Sequence, residues 1–272
     1  MEENILKIVE KSCRIHRDVI AVKYLSHREI VEKSYGDLWD DIRKTVVILR
    51  NNGLCGTHIA LVGSSSYEWI CAYMAILFMG NTAVPLDANL SASELHELLN
   101  RSGSTALFCG ASRKDVITEL TDDCPEMNIV FTMEKEVDIE HPEGADSNPQ
   151  LAILSFEQLR NEITIPDDFA FAEQDKDKMC TLMYTSGTTG KSKGVMLSQF
   201  NLAQNVENVF VNLEPGVTIL SVLPIHHAFC LTMEWMKGIS LGATICINDS
   251  LLHMLKNMKR FQPVGMLMVP LM

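Results

Sequence analysis

The chain has 272 residues, of which 47% are hydrophobic, and a formal net charge of −12. This length and apolar content predict one large domain or two modest ones with a sizeable core. The acidic balance argues against a nucleic acid as partner, because phosphate backbones require basic patches. Much of the charge is local, since residues 133–177 hold thirteen acidic and three basic side chains. We interpret this stretch as a solvated excursion outside the active region, the alternative being a functional acidic surface.

Eight cysteines occur without a C-x-x-C pair or a Cys/His cluster, which argues against a zinc site. The acidic amino terminus lacks the apolar core of a signal peptide. Reduced thiols and a cytoplasmic location are the simple interpretation. The uncharged window 69–86 is long enough to cross a bilayer, but it contains Gly80 and Pro85. We therefore predict a helix, a glycine stop and a strand there, and no transmembrane segment.

Apolar strands alternate with helical segments along most of the chain. The predicted strands cover 58–63, 82–86, 106–109, 128–132, 179–184, 218–223, 243–247 and 264–269. The predicted helices cover 35–52, 65–79, 91–100, 112–120, 198–212, 229–238 and 250–259. Ser65 with Glu68 and Ser91 with Glu94 have the spacing of capping boxes, and Ser198 is a further cap. The alternation predicts an α/β fold with parallel sheets covered by helices, in which ligands bind beyond the carboxyl ends of strands.

The segment 184–195 follows a predicted strand and concentrates hydroxyl groups, glycines and lysines. Glycines let the backbone approach a ligand closely, and successive N–H groups in such a turn form an anion site. Hydroxyls and lysines add donors, so the composition indicates phosphate binding. A Walker A loop is excluded by spacing, because only two residues separate Gly187 from Gly190. The segment does not match the G-x-G-x-x-G turn of dinucleotide-binding proteins either. A flexible linker would need neither the preceding strand nor lysines at fixed positions.

The contiguous stretch 184–194 reads YTSGTTGKSKG and resembles the signature loop of the AMP-forming adenylate-forming superfamily. That superfamily includes acyl- and aryl-CoA ligases, firefly luciferase and the adenylation domains of peptide synthetases. The resemblance implies that the loop closes over the β- and γ-phosphates of ATP during acyl-adenylate formation. Thr185 would also help to hold Mg²⁺. The implied phosphate-binding residues are Thr185, Ser186, Gly187, Thr188, Thr189, Gly190, Lys191 and Lys193.

A second motif, LPIHHAFC at 223–230, follows another predicted strand. Adjacent histidines after a proline form either a structural turn or a polar site, since a buried imidazole needs partners. No third ligand at a suitable spacing supports a metal site. The motif resembles the acyl-pocket motif of long-chain acyl-CoA synthetases, which implies that His227 lies beside the substrate carboxylate. Amino-acid-adenylating relatives place an aspartate here to pair with the substrate ammonium, and 223–235 contains none.

The apolar residues between 229 and 236 leave two interpretations open. They line an acyl tunnel, or they form the core face of a helix. The resemblance further implies the family's large amino-terminal domain with its doubly wound subdomains, which we assign to 1–52 with 205–272 and to 53–204. The family's adenine and ribose contacts, its hinge and its catalytic lysine would lie beyond Met272, so no catalytic residue is assigned. We expect a fragment that lacks the carboxy-terminal domain, is inactive alone and self-associates through an apolar edge.

The resemblance implies that the parent protein is an acid–CoA ligase whose substrates and cofactors are ATP, Mg²⁺ and CoA. A carboxylic acid would react with ATP to give acyl-AMP and pyrophosphate. The resemblance to long-chain acyl-CoA synthetases implies that this acid is a fatty acid. CoA would then form the thioester. Two alternatives stay open, namely a non-catalytic nucleotide-binding or interaction module and an adenylation domain for an aryl or amino acid. The expected partners are these small molecules.

Overall fold

The computed structural model of the chain describes residues 2–118, 120–134, 151–185 and 192–269. Its helices are α1 (Ile5–Ile15), α2 (Tyr35–Asn51), α3 (Tyr67–Phe78), α4 (Ala92–Ser102), α5 (Lys114–Thr118), α6 (Leu120–Asp123), α7 (Phe156–Glu162), α8 (Gln199–Asn208), α9 (Lys237–Ser240) and α10 (Met254–Phe261). Its strands are β1 (Ile20–Ser26), β2 (Glu29–Ser34), β3 (His58–Val62), β4 (Thr82–Leu86), β5 (Ser104–Cys109), β6 (Ile129–Thr132), β7 (Ala152–Ser155), β8 (Met179–Thr185), β9 (Lys193–Ser198), β10 (Thr218–Ser221), β11 (Thr244–Ile247) and β12 (Gly265–Met266). Short 3₁₀ turns cover Ala111–Arg113 and Leu251–His253, and a π-helix covers Cys230–Met236.

Within these ranges the strands form two sheets. One has five strands in the order β12-β10-β11-β1-β2, and the other has seven in the order β7-β6-β5-β3-β4-β8-β9. Neighbouring strands are parallel except in the β1–β2 and β8–β9 hairpins, which are antiparallel and close one edge of each sheet. The predicted α/β class with parallel sheets and helices is confirmed. The two hairpins were not predicted, because the alternation of strand and helix implies only parallel neighbours.

Side-chain caps fix where several helices begin. Ser91 with Glu94 and Ser198 with Asn201 form capping boxes, and Gly80 adopts a positive φ after α3, as the sequence predicts. One predicted cap is wrong. Ser66, not Ser65, accepts the hydrogen bond from the backbone N–H of Trp69 at the start of α3. Ser65 instead bonds to a distant loop, which no local sequence pattern reveals.

The main core joins the two sheets through α3. Every residue of Tyr67–Phe78 except Glu68 is buried, as expected for a helix that is apolar on all sides. The core around it contains Val22 and Ile245 from the five-stranded sheet and Ile59 and Phe108 from the seven-stranded sheet. The window 69–86 thus forms a core helix, a glycine stop and strand β4, as predicted. Among the helices of the described ranges, none combines the length and the apolar character that a bilayer crossing requires.

In its described residues 151–177, the acidic stretch is not a solvated excursion throughout. Its second half contributes the edge strand β7, paired in parallel with β6, and the helix α7. Phe156 and Arg160 of α7 are buried, with 0% and 5% of their surface exposed. The prediction failed because acidic residues outnumber the few apolar ones that carry the packing. The division into two subdomains stays a prediction.

Candidate functional site

The predicted phosphate loop connects β8 to β9. Strand β8 runs parallel to β4, so its carboxyl end lies at the same edge of the sheet as that of β4. Thr185 at the end of β8 pairs with Lys193 at the start of β9, and both side chains are exposed. The sequence predicted a helix after the loop, whereas strand β9 intervenes before α8. The remaining predicted phosphate ligands, which lie outside the described residues, are Ser186, Gly187, Thr188, Thr189, Gly190 and Lys191.

The end of this hairpin next to the loop is held by an arginine that sequence reasoning missed. The Arg101 side chain at the end of α4 donates a 2.8 Å hydrogen bond to the carbonyl oxygen of Ser192. Its guanidinium lies 5.4 Å from the ring centroid of Tyr184. At Gly194 an added Cβ would lie 3.0 Å from a methyl group of Leu182, so this glycine permits close packing of the two strands. The two ends of the loop are therefore fixed from outside the hairpin.

The histidine motif follows β10 and is tied to the other sheet. Ser65, just after β3, accepts a 3.2 Å hydrogen bond from the backbone N–H of Ile225 and contacts the carbonyl oxygen of Leu223 at 3.5 Å. The Nε2 atom of His226 lies 3.5 Å from Oδ1 of Asp87, which follows β4. The motif therefore bridges the carboxyl ends of strands from both sheets.

The two histidines occupy different environments. His226 is buried, whereas His227 is exposed, and their ring centroids are 4.2 Å apart. Burial lowers the pKa of His226 to about 4, assisted by the charge of His227 and opposed by Asp87. His226 is therefore neutral at pH 7. The buried ring fits a structural role, while the exposed ring is free to meet a ligand.

A cleft of about 270 Å³ lies between the two sheets at the carboxyl ends of their strands. Its walls come from the segments that follow β3, β4, β10 and β11. This is the place where open parallel sheets bind ligands. Among the described residues, the walls include His226 and Asn89 but not Thr185, Lys193 or His227. The structure thus brings the histidine motif to the cleft by its buried member.

A buried carboxyl lies behind the histidine motif. Glu234 is on the π-helix Cys230–Met236 and is 1% exposed, and its Oε2 atom has no hydrogen-bond partner in the described part of the chain. Its Oε1 atom lies 3.7 Å from Sγ of Cys230. Burial raises the pKa of Glu234 to about 7. The sequence predicted an ordinary helix over 229–238, which would not single out this residue.

The same helix answers the question about its apolar residues in part. Leu231, Trp235 and Met236 are buried in the main core, as the core interpretation predicts. Phe229 is 52% exposed and does not belong to that face.

Glu234→Gln is expected to change the pH dependence of stability. The folded state holds the Glu234 proton up to about pH 7, whereas the ordinary pKa is 4.5. Stability of the wild type therefore falls as pH rises through this interval, by about 3 kcal/mol when complete. Urea unfolding should show Glu234→Gln more stable than wild type by this amount at pH 8 and nearly equal at pH 5. The exposed Glu207→Gln variant serves as control. If the stability difference between Glu234→Gln and wild type is the same at pH 5 and pH 8, the raised pKa of Glu234 is contradicted.

The fold and the cleft define an α/β domain with a cleft at the carboxyl ends of the parallel strands of its two sheets. The chain belongs to the AMP-binding enzyme family, whose model matches residues 9–272. This confirms the family to which the loop and the histidine motif were assigned by resemblance.

Three relatives illustrate the match. A long-chain-fatty-acid–CoA ligase from Mycobacterium bovis is 24% identical over 279 residues, which cover 94% of this chain and 44% of the relative. The inhibitor-bound N-terminal domain of FACL13 from Mycobacterium tuberculosis has a TM-score of 0.78 at 20% identity, covering 97% of this chain and 62% of that one. The anthranilate CoA ligase AuaEII, in complex with anthranoyl-AMP, has a TM-score of 0.80 at 16% identity, covering 97% and 48%.

At these identities the two solved structures establish the fold. The chain spans less than half the length of the first curated relatives it matches, at 46% and 38%.

Proposed function

We propose that the full-length protein is an AMP-forming acid–CoA ligase. It would convert a carboxylic acid and ATP to acyl-AMP and pyrophosphate, and then form the CoA thioester with release of AMP. The observation that carries the proposal is the loop 184–194 on the β8–β9 hairpin, beside strand β4. Asp87 follows β4 and lies 3.5 Å from His226 of the histidine motif. Membership of the AMP-binding enzyme family supports the same chemistry.

The proposed roles follow from position and chemistry. The loop would hold the β- and γ-phosphates of ATP through its backbone N–H groups, its hydroxyls and the ammonium groups of Lys191 and Lys193. Thr185 offers a hydroxyl oxygen at the exposed end of β8, and oxygen is the ligand that Mg²⁺ takes in proteins. Bound there, Mg²⁺ would neutralise phosphate charge.

A fatty acid is the proposed acyl substrate. The relative from Mycobacterium bovis is a long-chain-fatty-acid–CoA ligase, which supports this choice. The absence of aspartate from 223–235 disfavours an amino acid, because a desolvated ammonium needs a counter-charge. An aryl acid is the runner-up, since AuaEII is an anthranilate CoA ligase.

The test is acid-dependent ATP–pyrophosphate exchange by the full-length protein. A panel should contain short, medium and long fatty acids, benzoate derivatives and amino acids. We expect exchange with fatty acids that requires Mg²⁺, followed by thioester formation when CoA is added. ATP binding without exchange for any acid would instead support a non-catalytic nucleotide-binding module.

His227→Ala is expected to raise KM for the acid about tenfold and to leave KM for ATP nearly unchanged. The reason is that an exposed imidazole at a strand end can contact the substrate carboxylate, a polar contact worth about 1 kcal/mol or more. His226→Ala should instead lower stability by about 1–3 kcal/mol, since its ring is buried beside Asp87. Steady-state kinetics and urea unfolding of both variants check this. The reversed pattern would show that the two roles are exchanged.

Two further parts of the proposal concern the setting. A cytoplasmic location is proposed because all eight cysteines are free thiols, which a reducing compartment preserves.

Self-association is proposed because exposed apolar residues, among them Val264 and Met268, lie beside the short edge strand β12. Sedimentation velocity over a concentration series measures the latter.

A further inference from the structure

A second pocket lies between α10 and the turn of the β1–β2 hairpin in the five-stranded sheet. It has a volume of about 540 Å³ and is formed by α10, the 3₁₀ turn before it and the turn between β1 and β2. The lining side chains that matter are Arg28, Asp249, His253, Lys256, Asn257 and Arg260. None of the described residues of the loop 184–194 lines it, and it shares Asp249 with the cleft between the two sheets.

The lining of this pocket carries more positive than negative charge, since Arg28, Lys256 and Arg260 accompany one carboxylate, Asp249. Within the described ranges, Arg28, Lys256 and Arg260 form no ion pair and no side-chain hydrogen bond with another residue. Elsewhere in this acidic chain, arginines such as Arg113 and Arg160 are paired with carboxylates. Like charges around one cavity repel one another, and a bound anion offsets that repulsion.

The single carboxylate of the pocket is already engaged. Asp249 accepts hydrogen bonds from Nδ1 of His253 at 2.8 Å and from Nδ2 of Asn257 at 2.6 Å. Partial burial alone would raise the pKa of Asp249, but these hydrogen bonds outweigh it and the pKa is lowered. Asp249 is therefore held by His253 and Asn257 within the pocket, and the charged groups of Arg28, Lys256 and Arg260 remain for a ligand.

Arg28 reaches the pocket from a strained backbone. It follows His27 in the two-residue turn of the β1–β2 hairpin, and both residues have positive φ, at +71° and +49°. Such turns favour Asn-Gly or Gly-Gly, because a Cβ is unfavourable at positive φ. An arginine at this position costs folding free energy, and residues held in such conformations cluster at ligand sites.

The floor of the pocket contains a polar group without a partner. Asn257 is fully buried, and its Nδ2 donates to the side-chain oxygens of Asn248 and Asp249. Its Oδ1 atom has no hydrogen-bond partner among the residues that the structure describes. Buried polar atoms are nearly always paired, so an unpaired one indicates that a water or a ligand hydroxyl completes the site.

We propose that this pocket binds a phosphate group, carried by a soluble phosphorylated molecule or by a lipid headgroup. Arg28, Lys256 and Arg260 supply charged donors, which bind phosphate oxygens more strongly than neutral donors do. Asn257 at the floor accepts from a hydroxyl next to the phosphate. The proposal does not depend on the ligase activity, because it rests on the charges and contacts of residues that are not part of the loop 184–194.

The test compares a pocket variant with a control variant of the same chain. In the pocket variant, phosphate binding and stability are expected to change in opposite directions. Arg28→Gly should preserve or raise the melting temperature, because glycine suits the turn, and should weaken phosphate binding about tenfold or more. Lys259→Gln is the matched control, since Lys259 lies on α10 but does not line the pocket. Calorimetry with pyrophosphate measures the soluble ligand. Flotation with phosphatidylcholine vesicles, with and without phosphatidic acid, measures the lipid.

To remove the contribution of the ATP loop, each titration is repeated in a Lys193→Ala background. Binding of pyrophosphate that persists there and is lost in Arg28→Gly supports the proposal with a soluble ligand. Flotation that requires phosphatidic acid and is lost in Arg28→Gly supports it with a lipid ligand. Absence of both, or equal loss in Arg28→Gly and Lys259→Gln, overturns it. Salt should weaken specific binding in either case.

Discussion

Lys193→Ala in the full-length protein is expected to slow acyl-adenylate formation by about 10²–10³-fold, the cost of removing one group that stabilises developing charge. Lys193 is the first residue of β9 and pairs with Thr185, so its side chain starts at the fixed base of the loop. Its ammonium would reach the leaving pyrophosphate only while ATP reacts. Thioester formation from supplied acyl-AMP should stay nearly unchanged, because no pyrophosphate is present in that step.

The two half-reactions are measured separately, by ATP–pyrophosphate exchange and by thioester formation from synthetic acyl-AMP. Lys178→Ala is the matched control, because Lys178 is exposed and immediately precedes β8 at the end of the strand away from the loop. Thr188→Ala should show the same selectivity as Lys193→Ala. Equal damage to both half-reactions would contradict the assignment of the loop to phosphate.

Local patterns predicted much of the fold. The capping residues Ser91 and Ser198, the glycine after α3 and the apolar strands were read correctly because each depends on neighbours within a few residues. The position of the segment 184–194 after the carboxyl end of a strand was predicted for the same reason, while its role in phosphate binding stays a prediction. Its family was predicted because the motif is contiguous.

The parts that failed depend on distant partners. Strand β9 is exposed on much of its length, Val195 and Met196 included, and it is a strand because it pairs with β8. Ser65 looks like a helix cap in sequence, yet it bonds to a backbone segment 160 residues away. The contact between Asp87 and His226 likewise joins two sheets. Long-range contacts of this kind leave no periodic signal in the chain.

The buried charge at Arg160 is another feature without a local signal. Arg160 on α7 is 5% exposed, and its Nη2 atom lies 3.1 Å from Oε1 of Glu68 on α3. Its Nε atom lies 4.0 Å from Oδ1 of Asp41 on α2. The other carboxylate oxygen of Asp41, Oδ2, accepts a 2.8 Å hydrogen bond from the hydroxyl of Tyr67. The guanidinium further lies over the rings of Tyr67 and Phe156, at 5.4 and 5.2 Å from their centroids. One arginine thus fastens α7 to two core helices.

Arg160→Met is expected to destabilise the chain by about 3 kcal/mol, because it leaves the poorly solvated carboxylate of Glu68 without its cation, whereas Asp41 keeps its ion pair with Lys33. Urea unfolding measures this, with the exposed Arg14→Met as control. A second variant separates lost charge pairing from lost packing. Glu68→Gln should destabilise the wild type but stabilise the Arg160→Met variant, since it then removes an uncompensated charge. If Glu68→Gln destabilises both backgrounds equally, Arg160 acts through packing against Tyr67 and Phe156, and the ion pair contributes nothing to holding α7 on the core.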